Sequence, residues 1–223
     1  MIWRFCWNPN GRWLRSCWWQ RCGWGRVRFC ICSTGRGVGG ILVVWDSSRF
    51  CLDFLDILSH CVVIKGSWVV DSFSCGLMAV YAPCGKTEQF ALWGELGLYL
   101  EERRDWAWCV AGDFNATRWA SERRGCTSFS QGMNKFSEFV EESGLVDFPL
   151  EGKRFTWFGL GDRCNMIDRF LIANESIDRF AQIKQLNLLS LLSDHSPLLL
   201  VSSDEDWGPR PFRFLDCWLV LRV

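Results

Sequence analysis

The first 45 residues contain no carboxylate: seven arginines stand there alone, and Asp46 is the first acid. Any metal site built on aspartate or glutamate must therefore come from later in the chain. Histidine is scarce, with only His60 and His195 among 223 residues. That excludes a histidine-rich metal centre. No apolar run approaches the ~20 residues needed to span a bilayer, which argues against a membrane helix. The arginine-bearing start has no continuous apolar stretch of the kind a secretory signal needs. An intracellular chain, nuclear or cytoplasmic and not secreted, is expected. The 13 cysteines are odd in number and irregular in spacing, so they read as reduced thiols and not as a disulfide framework.

What is present points to a globular chain. Hydrophobic residues make up 49% and charged residues 22%, enough to bury a core over this length. The formal net charge of zero conceals an asymmetry. Removing the seven early arginines from the 25 basic residues leaves 18 against all 25 acids, a net of −7 for residues 46–223. A broad basic surface for nucleic-acid phosphates is thus not expected. A metal-centred site could still bring a phosphodiester to an acidic protein, because the cation supplies local positive charge.

Residues 1–36 differ from the rest. Trp3, Trp7, Trp13, Trp18, Trp19 and Trp24 crowd together with Cys6, Cys17, Cys22, Cys30 and Cys32, and no helical or strand period is evident. Two readings stand. One is a cysteine-based metal site around Cys30 and Cys32, although this segment holds no Cys-x-x-Cys pair and no histidine. The other, which is expected, is a poorly ordered head never selected for folding. From residue 37 on, strands are predicted at Ile41–Trp45, Cys61–Ile64, Trp68–Val70, Gly76–Tyr81, Trp106–Ala111, Phe155–Phe158, Ile167–Ala173 and Pro197–Val201. A turn is predicted at Lys65-Gly66-Ser67. One helix is predicted after a Thr87 cap, with Phe90, Trp93 and Leu100 on its apolar face; a second is predicted around Met133, Phe136 and Val140, ending at Gly144. Strands outnumber helices and come in runs, which predicts an α+β layered domain over residues 37–203, followed by a tail at 204–223.

Three clusters carry possible chemistry. In Gly112-Asp113-Phe114-Asn115, a carboxylate and a carboxamide stand two apart at a strand's end, where both could face one side. The same pair could equally be a capping turn. Asp168, set among apolar residues in Ile167-Asp168-Arg169-Phe170, needs a partner other than Arg169, because strand neighbours face opposite ways. His195 follows Asp194 at the mouth of a strand, and Asp168 is a candidate carboxylate to orient it. His60 has no such company and reads as structural.

Taken with Gly39-Gly40-Ile41-Leu42-Val43-Val44-Trp45-Asp46, Val80-Tyr81-Ala82-Pro83, Phe155-Thr156-Trp157 and Ser193-Asp194-His195-Ser196-Pro197, these clusters resemble the endonuclease/exonuclease/phosphatase superfamily. The likeness covers about residues 37–218 and is greatest to the endonuclease domain of plant LINE-type (non-LTR) retrotransposon polyproteins. Glu122-Arg123-Arg124 and Trp207-Gly208-Pro209-Arg210-Pro211 also resemble those elements. The resemblance implies a four-layered, DNase I-like α/β sandwich with two face-to-face mixed sheets and outer helices. It implies Mg²⁺-dependent (or Mn²⁺-dependent) phosphodiester hydrolysis with DNA as the ancestral substrate, and no obligate protein partner.

By the same resemblance, Asp113 and Asn115 would position water and phosphate. His195, oriented by Asp168, would act as general base or stabilise the phosphate, Tyr81 would hydrogen-bond the phosphate, and Asp194 would help hold the metal. Asn8 is a possible remnant of the asparagine that closes the family's first strand. The glutamate that is the family's principal metal ligand has no counterpart before Gly39, so the first helix and second strand are expected to be missing. Weakened metal binding, unpaired neighbouring strands and exposed apolar surface are expected to follow. Two alternatives remain: a non-enzymatic nucleic-acid or protein binder, and an active phosphodiesterase or phosphatase of the same superfamily.

Overall fold

The structure, a computed structural model, describes residues 27–33, 40–126, 128–179, 183–190 and 193–202. A six-stranded mixed sheet forms its centre, in the order β3–β4–β5–β6–β11–β7. Its strands are β3 (Phe50–Ile57), β4 (Cys61–Trp68), β5 (Ser74–Tyr81), β6 (Trp108–Asp113), β11 (Asp168–Ala173) and β7 (Leu145–Asp147). Within this sheet only β5 and β6 pair in parallel, and the crossover between them carries helix α1 (Lys86–Glu101). Helix α2 (Gln131–Glu142) follows β6.

Both helices cover one face of this sheet. Leu92, Trp93, Leu96 and Leu100 of α1 and Phe136, Phe139 and Val140 of α2 meet Val63, Met78, Val80, Val110 and Leu171 in one apolar cluster. Phe136 is fully buried. Its ring centroid lies 5.1 Å from that of Trp93 and 5.2 Å from that of Phe114, spacings at which aromatic pairs attract. The capping differs from expectation for α1. Its N-cap is Gly85, with no side-chain cap, and Thr87 lies inside the helix. Ser130 caps α2 by accepting from the Met133 N–H, and Gly144 ends it at φ +62° as predicted.

A second layer lies on the opposite face and comes in two pieces. The first is an antiparallel hairpin of β1 (Val27–Ser33) and β2 (Gly40–Asp46). Ile41, Val43 and Trp45 pack from it onto Phe50, Val62, Ile64 and Leu77. The second is a three-stranded sheet of β13 (Leu198–Ser202), β12 (Ile183–Asn187) and β8 (Leu150–Glu151). A short hairpin of β9 (Trp157–Phe158) and β10 (Cys164–Asn165) stands beside them. The α+β sandwich predicted from the sequence is thus present. Neither described helix is long and apolar enough to cross a membrane.

Several boundaries differ from the prediction. Of the head segment 1–36, expected to be poorly ordered, only residues 27–33 are among those described; they form β1, where Cys30 and Cys32 are buried while Phe29 and Ile31 face outward. The alternation was hidden because cysteine here behaves as a small hydrophobe. The thiols of Cys30 and Cys32 are free and are pushed above their ordinary range by burial. Lys65-Gly66-Ser67 is no turn: β4 runs through to Trp68. Gly66 is required by close packing, since a Cβ there would meet the Cys51 carbonyl oxygen at 2.1 Å. β3 was not predicted. It is an edge strand, mostly solvated, with a register shift between Leu52 and Phe54, and so it lacks clean two-residue alternation.

Phe136→Ala is expected to cost about 3–5 kcal/mol, because it empties a site shared by both helices and the sheet. The shift of the urea midpoint at unchanged slope would measure it.

Candidate active site

Strand register assembles the site. On the parallel β5–β6 pair Tyr81 lies opposite Asp113, and on the antiparallel β6–β11 pair Asp113 lies opposite Asp168. Residues opposed across a ladder point to the same face. Tyr81, Asp113 and Asp168 therefore form one row across three strands, on the face that looks toward the second layer. The row needs a close approach just before it. Gly112 has φ +150°, and a Cβ there would meet the Val80 carbonyl oxygen at 1.9 Å.

His195 reaches the row from its loop. Its Nδ1 lies 2.9 Å and 3.1 Å from the two Asp168 carboxylate oxygens, so Nδ1–H donates to the carboxylate. Its Nε2 is 3.9 Å from Asp113 Oδ2. Ligand atoms of Asp113, Asp168 and His195 all lie within 4.8 Å of one another. Both carboxylates are buried, at 6% and 7% exposure, and His195 is half-buried.

Asn115 joins the row by a different geometry from the one predicted. It lies beyond the end of β6 in the left-handed region, at φ +47°, so strand spacing does not aim it. The turn does. The Asn115 backbone N–H donates to Asp113 Oδ1 at 2.8 Å, and its Nδ2 donates to the Ala82 carbonyl at 2.8 Å. The capping turn and the site residue are thus the same structure. Asp194 stands apart from the cluster. It is exposed, and its Oδ2 accepts from the Trp157 indole N–H at 2.9 Å. His60 hydrogen-bonds the Tyr81 carbonyl at 3.2 Å. Asn8 lies outside the described residues, as do residues 203–223 of the tail.

Charge follows from this crowding. Burial, then the neighbouring Asp168, pushes Asp113 up to about 7. Burial works against charge on His195, but the Asp168 hydrogen bond and the charges of Asp168, Asp113 and Asp194 outweigh it and raise the imidazole to about 9. The Tyr81 phenol is raised by burial first and by Asp113 second.

Sequence reasoning missed the residues that hold this geometry. Thr156 is fully buried. Its hydroxyl accepts from the backbone N–H groups of Ile167 and Asp168, both at 3.0 Å. Its carbonyl accepts from the Ser196 N–H at 2.7 Å. One residue therefore ties the Asp168 turn to the His195 loop. Gln89 of α1 is also buried, and its Nε2 donates at 2.9 Å to both the Pro83 and Asn115 carbonyls.

Behind the row, Arg169 points to the opposite face, as strand alternation requires. There it donates to Glu122 at 2.9 Å and to Asp147 at 2.5 Å. Glu122 in turn accepts from the Arg118 backbone N–H at 2.7 Å, closing the loop that follows Asn115. The only sequence signals for these were Thr156 inside Phe155-Thr156-Trp157 and Glu122 inside Glu122-Arg123-Arg124; Gln89 had none.

No protein-family model matches this chain, and neither does any curated protein. Solved structures do. The endonuclease domain of TRAS1, a telomere-specific non-LTR retrotransposon, aligns with a TM-score of 0.58 at 16% identity, covering 78% of each chain. The human Nocturnin catalytic domain aligns at 0.55 and 12% identity, over 84% of this chain and 77% of that one. A mannosyl-6-phosphatase from Bacteroides thetaiotaomicron aligns at 0.52 and 14%, over 79% and 78%. The fold is that of the endonuclease/exonuclease/phosphatase proteins. Within this DNase I-like fold, the row Tyr81–Asp113–Asp168 stands on three adjacent strands of the six-stranded sheet.

Three measurements check the site. The His195 imidazole proton resonance is expected to titrate well above 6.5, near 9, and in Asp168→Asn its midpoint should fall markedly. His60→Gln identifies the resonance. Because the folded value is raised, the His195–Asp168 pair stabilises fully below about 6.5 and loses that contribution as pH rises through about 9. The stability difference between the parent chain and Asp168→Asn should shrink across that range. Separately, Glu122→Ala strips the buried Arg169 of a partner and is expected to cost about 3–5 kcal/mol, read from denaturant unfolding.

Proposed function

We propose that this chain is a phosphodiester hydrolase domain of the DNA endonuclease type, of retroelement origin, with impaired metal binding. The observation that carries the reading is the row Tyr81–Asp113–Asp168 with His195 seated on Asp168. The donor set suits a divalent cation. Two buried carboxylates side by side stay costly until a proton or a cation neutralises them, and Asp113 is raised by its burial first and by the neighbouring Asp168 second. Asp113 and Asp168 would hold Mg²⁺ or Mn²⁺, while Asp194 stays on the Trp157 indole outside the cluster. The ion would stabilise charge on the leaving oxygen.

The chain's own residues supply the rest. Asp113 and Asn115 position water against the phosphate. In the metal-free site His195 holds a proton at Nε2 at neutral pH, because the Asp168 hydrogen bond and the nearby carboxylates keep the imidazole charged, and that N–H would face a phosphate oxygen. Tyr81 offers its hydroxyl at the other end of the row. A nucleic acid suits the rim better than a small phosphate monoester does. Arg124 and Arg154 both lie over the Phe155 ring, at 5.7 Å and 5.5 Å, and Lys153 lies over Phe158 at 5.7 Å. Exposed cations on aromatic faces serve a phosphate backbone and its bases. Such an enzyme would meet its DNA in the nucleus or cytoplasm.

The impairment rests on the resemblance. The glutamate that is the family's principal metal ligand has no counterpart here, since residues 1–45 hold no acid, and Mg²⁺ would be left with Asp113, Asp168 and water. Mn²⁺ should broaden the His195 imidazole signal, while supercoiled plasmid should be nicked slowly or not at all. Robust nicking that His195→Ala abolishes would refute the impairment. Absence of broadening at millimolar Mn²⁺ would sink the metal-dependent reading itself. Faster turnover of a phosphate monoester than of plasmid would reassign the substrate class.

A further inference from the structure

Among the buried residues of α1, Gln89 stands apart. Leu92, Trp93, Leu96 and Leu100 are apolar, whereas Gln89 is polar and only 5% exposed. It sits in the helix's first turn, where its backbone N–H donates to the Gly85 carbonyl at 2.9 Å. A glutamine amide carries two N–H groups. Nε2 donates to two acceptors here, the Pro83 and Asn115 carbonyls, each at 2.9 Å. Those carbonyls belong to the two loops that leave the site end of β5 and β6. One side chain of a packed helix thus joins both loops.

Asn115 is where that joint acts. Its left-handed backbone, φ +47°, is costly for a residue other than glycine and persists only where the surroundings hold it. In that conformation its N–H reaches Asp113 Oδ1 at 2.8 Å, and its Nδ2 reaches the Ala82 carbonyl at 2.8 Å. Ala82 closes the circuit, since its own N–H donates to the Asp113 carbonyl at 2.8 Å. We propose that Gln89 is a positioning residue of the site: its two amide bonds hold the Asn115 turn, and through it the Asp113 carboxylate, in the arrangement that takes a divalent cation. Gln89 has this role only if Asp113 binds a cation, so the proposal rests on the metal-dependent reading above. Loss of a group that orients a metal ligand typically costs about 10–100-fold in metal affinity. Gln89 acts through Asn115, one residue further out, so a loss near the lower end is expected. Packing does not require a polar residue at this position, because Leu92 and Trp93 already seat this end of α1 in the apolar cluster.

Mn²⁺ affinity of the full chain, measured by the electron paramagnetic resonance of the free ion, tests it. Gln89→Met keeps the side-chain length and removes both donors, and should weaken Mn²⁺ binding about tenfold. Leu100→Ala loosens the buried far end of the same helix, and should lower the urea midpoint with Mn²⁺ affinity unchanged. The Asn115 amide should exchange at least about tenfold faster in Gln89→Met, while amides inside β5 and β6 keep their rates. Parent-like Mn²⁺ affinity in Gln89→Met, or an equal loss in Leu100→Ala, would overturn the proposal. Should Gln89→Met fail to fold, Gln89→Asn withdraws the same amide by one methylene. It should also weaken Mn²⁺ binding, and parent-like affinity there would overturn the role. A parent chain that binds no Mn²⁺ removes the metal-dependent reading itself. Asn115 exchange then decides whether Gln89 holds the turn, a faster rate in Gln89→Met supporting it and an unchanged rate overturning it.

Discussion

Two like charges held directly opposite each other are the constraint around which this protein is built. Asp113 and Asp168 face one another across an antiparallel pair, an arrangement that destabilises a sheet when nothing offsets it. Each neighbour of the pair supplies an offset. The Asn115 N–H donates to one carboxylate and the His195 imidazole to the other. Thr156 fixes the turn that aims Asp168, and Gln89 fixes the loop that carries Asn115. Removing any one of these leaves buried negative charge with fewer donors, and the cost of burying a charge rises steeply as its partners are lost. Asp113 is raised by burial first and by Asp168 second, so the donors present do not fully offset the cost of its charge. An arrangement that stabilises the fold so poorly is the kind associated with chemistry.

Strand alternation sorts two charged systems that are adjacent in sequence. Asp168 looks toward the site, and Arg169, its neighbour, looks into the opposite core. There it is fully buried between Glu122 and Asp147, with its guanidinium carbon 5.4 Å from the Phe136 ring centroid. The loop after Asn115 is thus gripped from behind while the site is assembled in front. Sheet and helices meet through this network as well as through Trp93 and Phe136.

Much of this was legible in the sequence. Strands β2, β5, β6 and β11 announced themselves by apolar runs ending in polar clusters, and α2 by spacing. That Asp168 needs a partner other than Arg169 followed from strand alternation; His195 was a candidate for it, and the resemblance implied the same pairing. Other features were not legible, for physical reasons. β3 is solvated and bulged, so its pattern is broken. β1 is written in cysteines, which read as reactive sites before they read as hydrophobes. Asn115 was assigned the correct neighbour by the wrong geometry, since a left-handed turn and not strand spacing brings it to Asp113. Thr156 and Gln89 act through backbone hydrogen bonds to residues distant in sequence, and no local pattern encodes such bonds.

The Arg169 network has a consequence for ionic strength. Its charges are sealed from solvent, with the Arg169 side chain at 0% exposure and Asp147 at 9%, so dissolved ions cannot gather around them. Pairs such as Lys135–Glu138, about half exposed on both sides, lie within reach of counterions and lose their modest attraction as salt is added. Salt therefore divides the molecule. It loosens the outer turns of the helices while leaving intact the joint that holds the loop behind the two aspartates, so the site should keep its shape in brines that fray the surface around it.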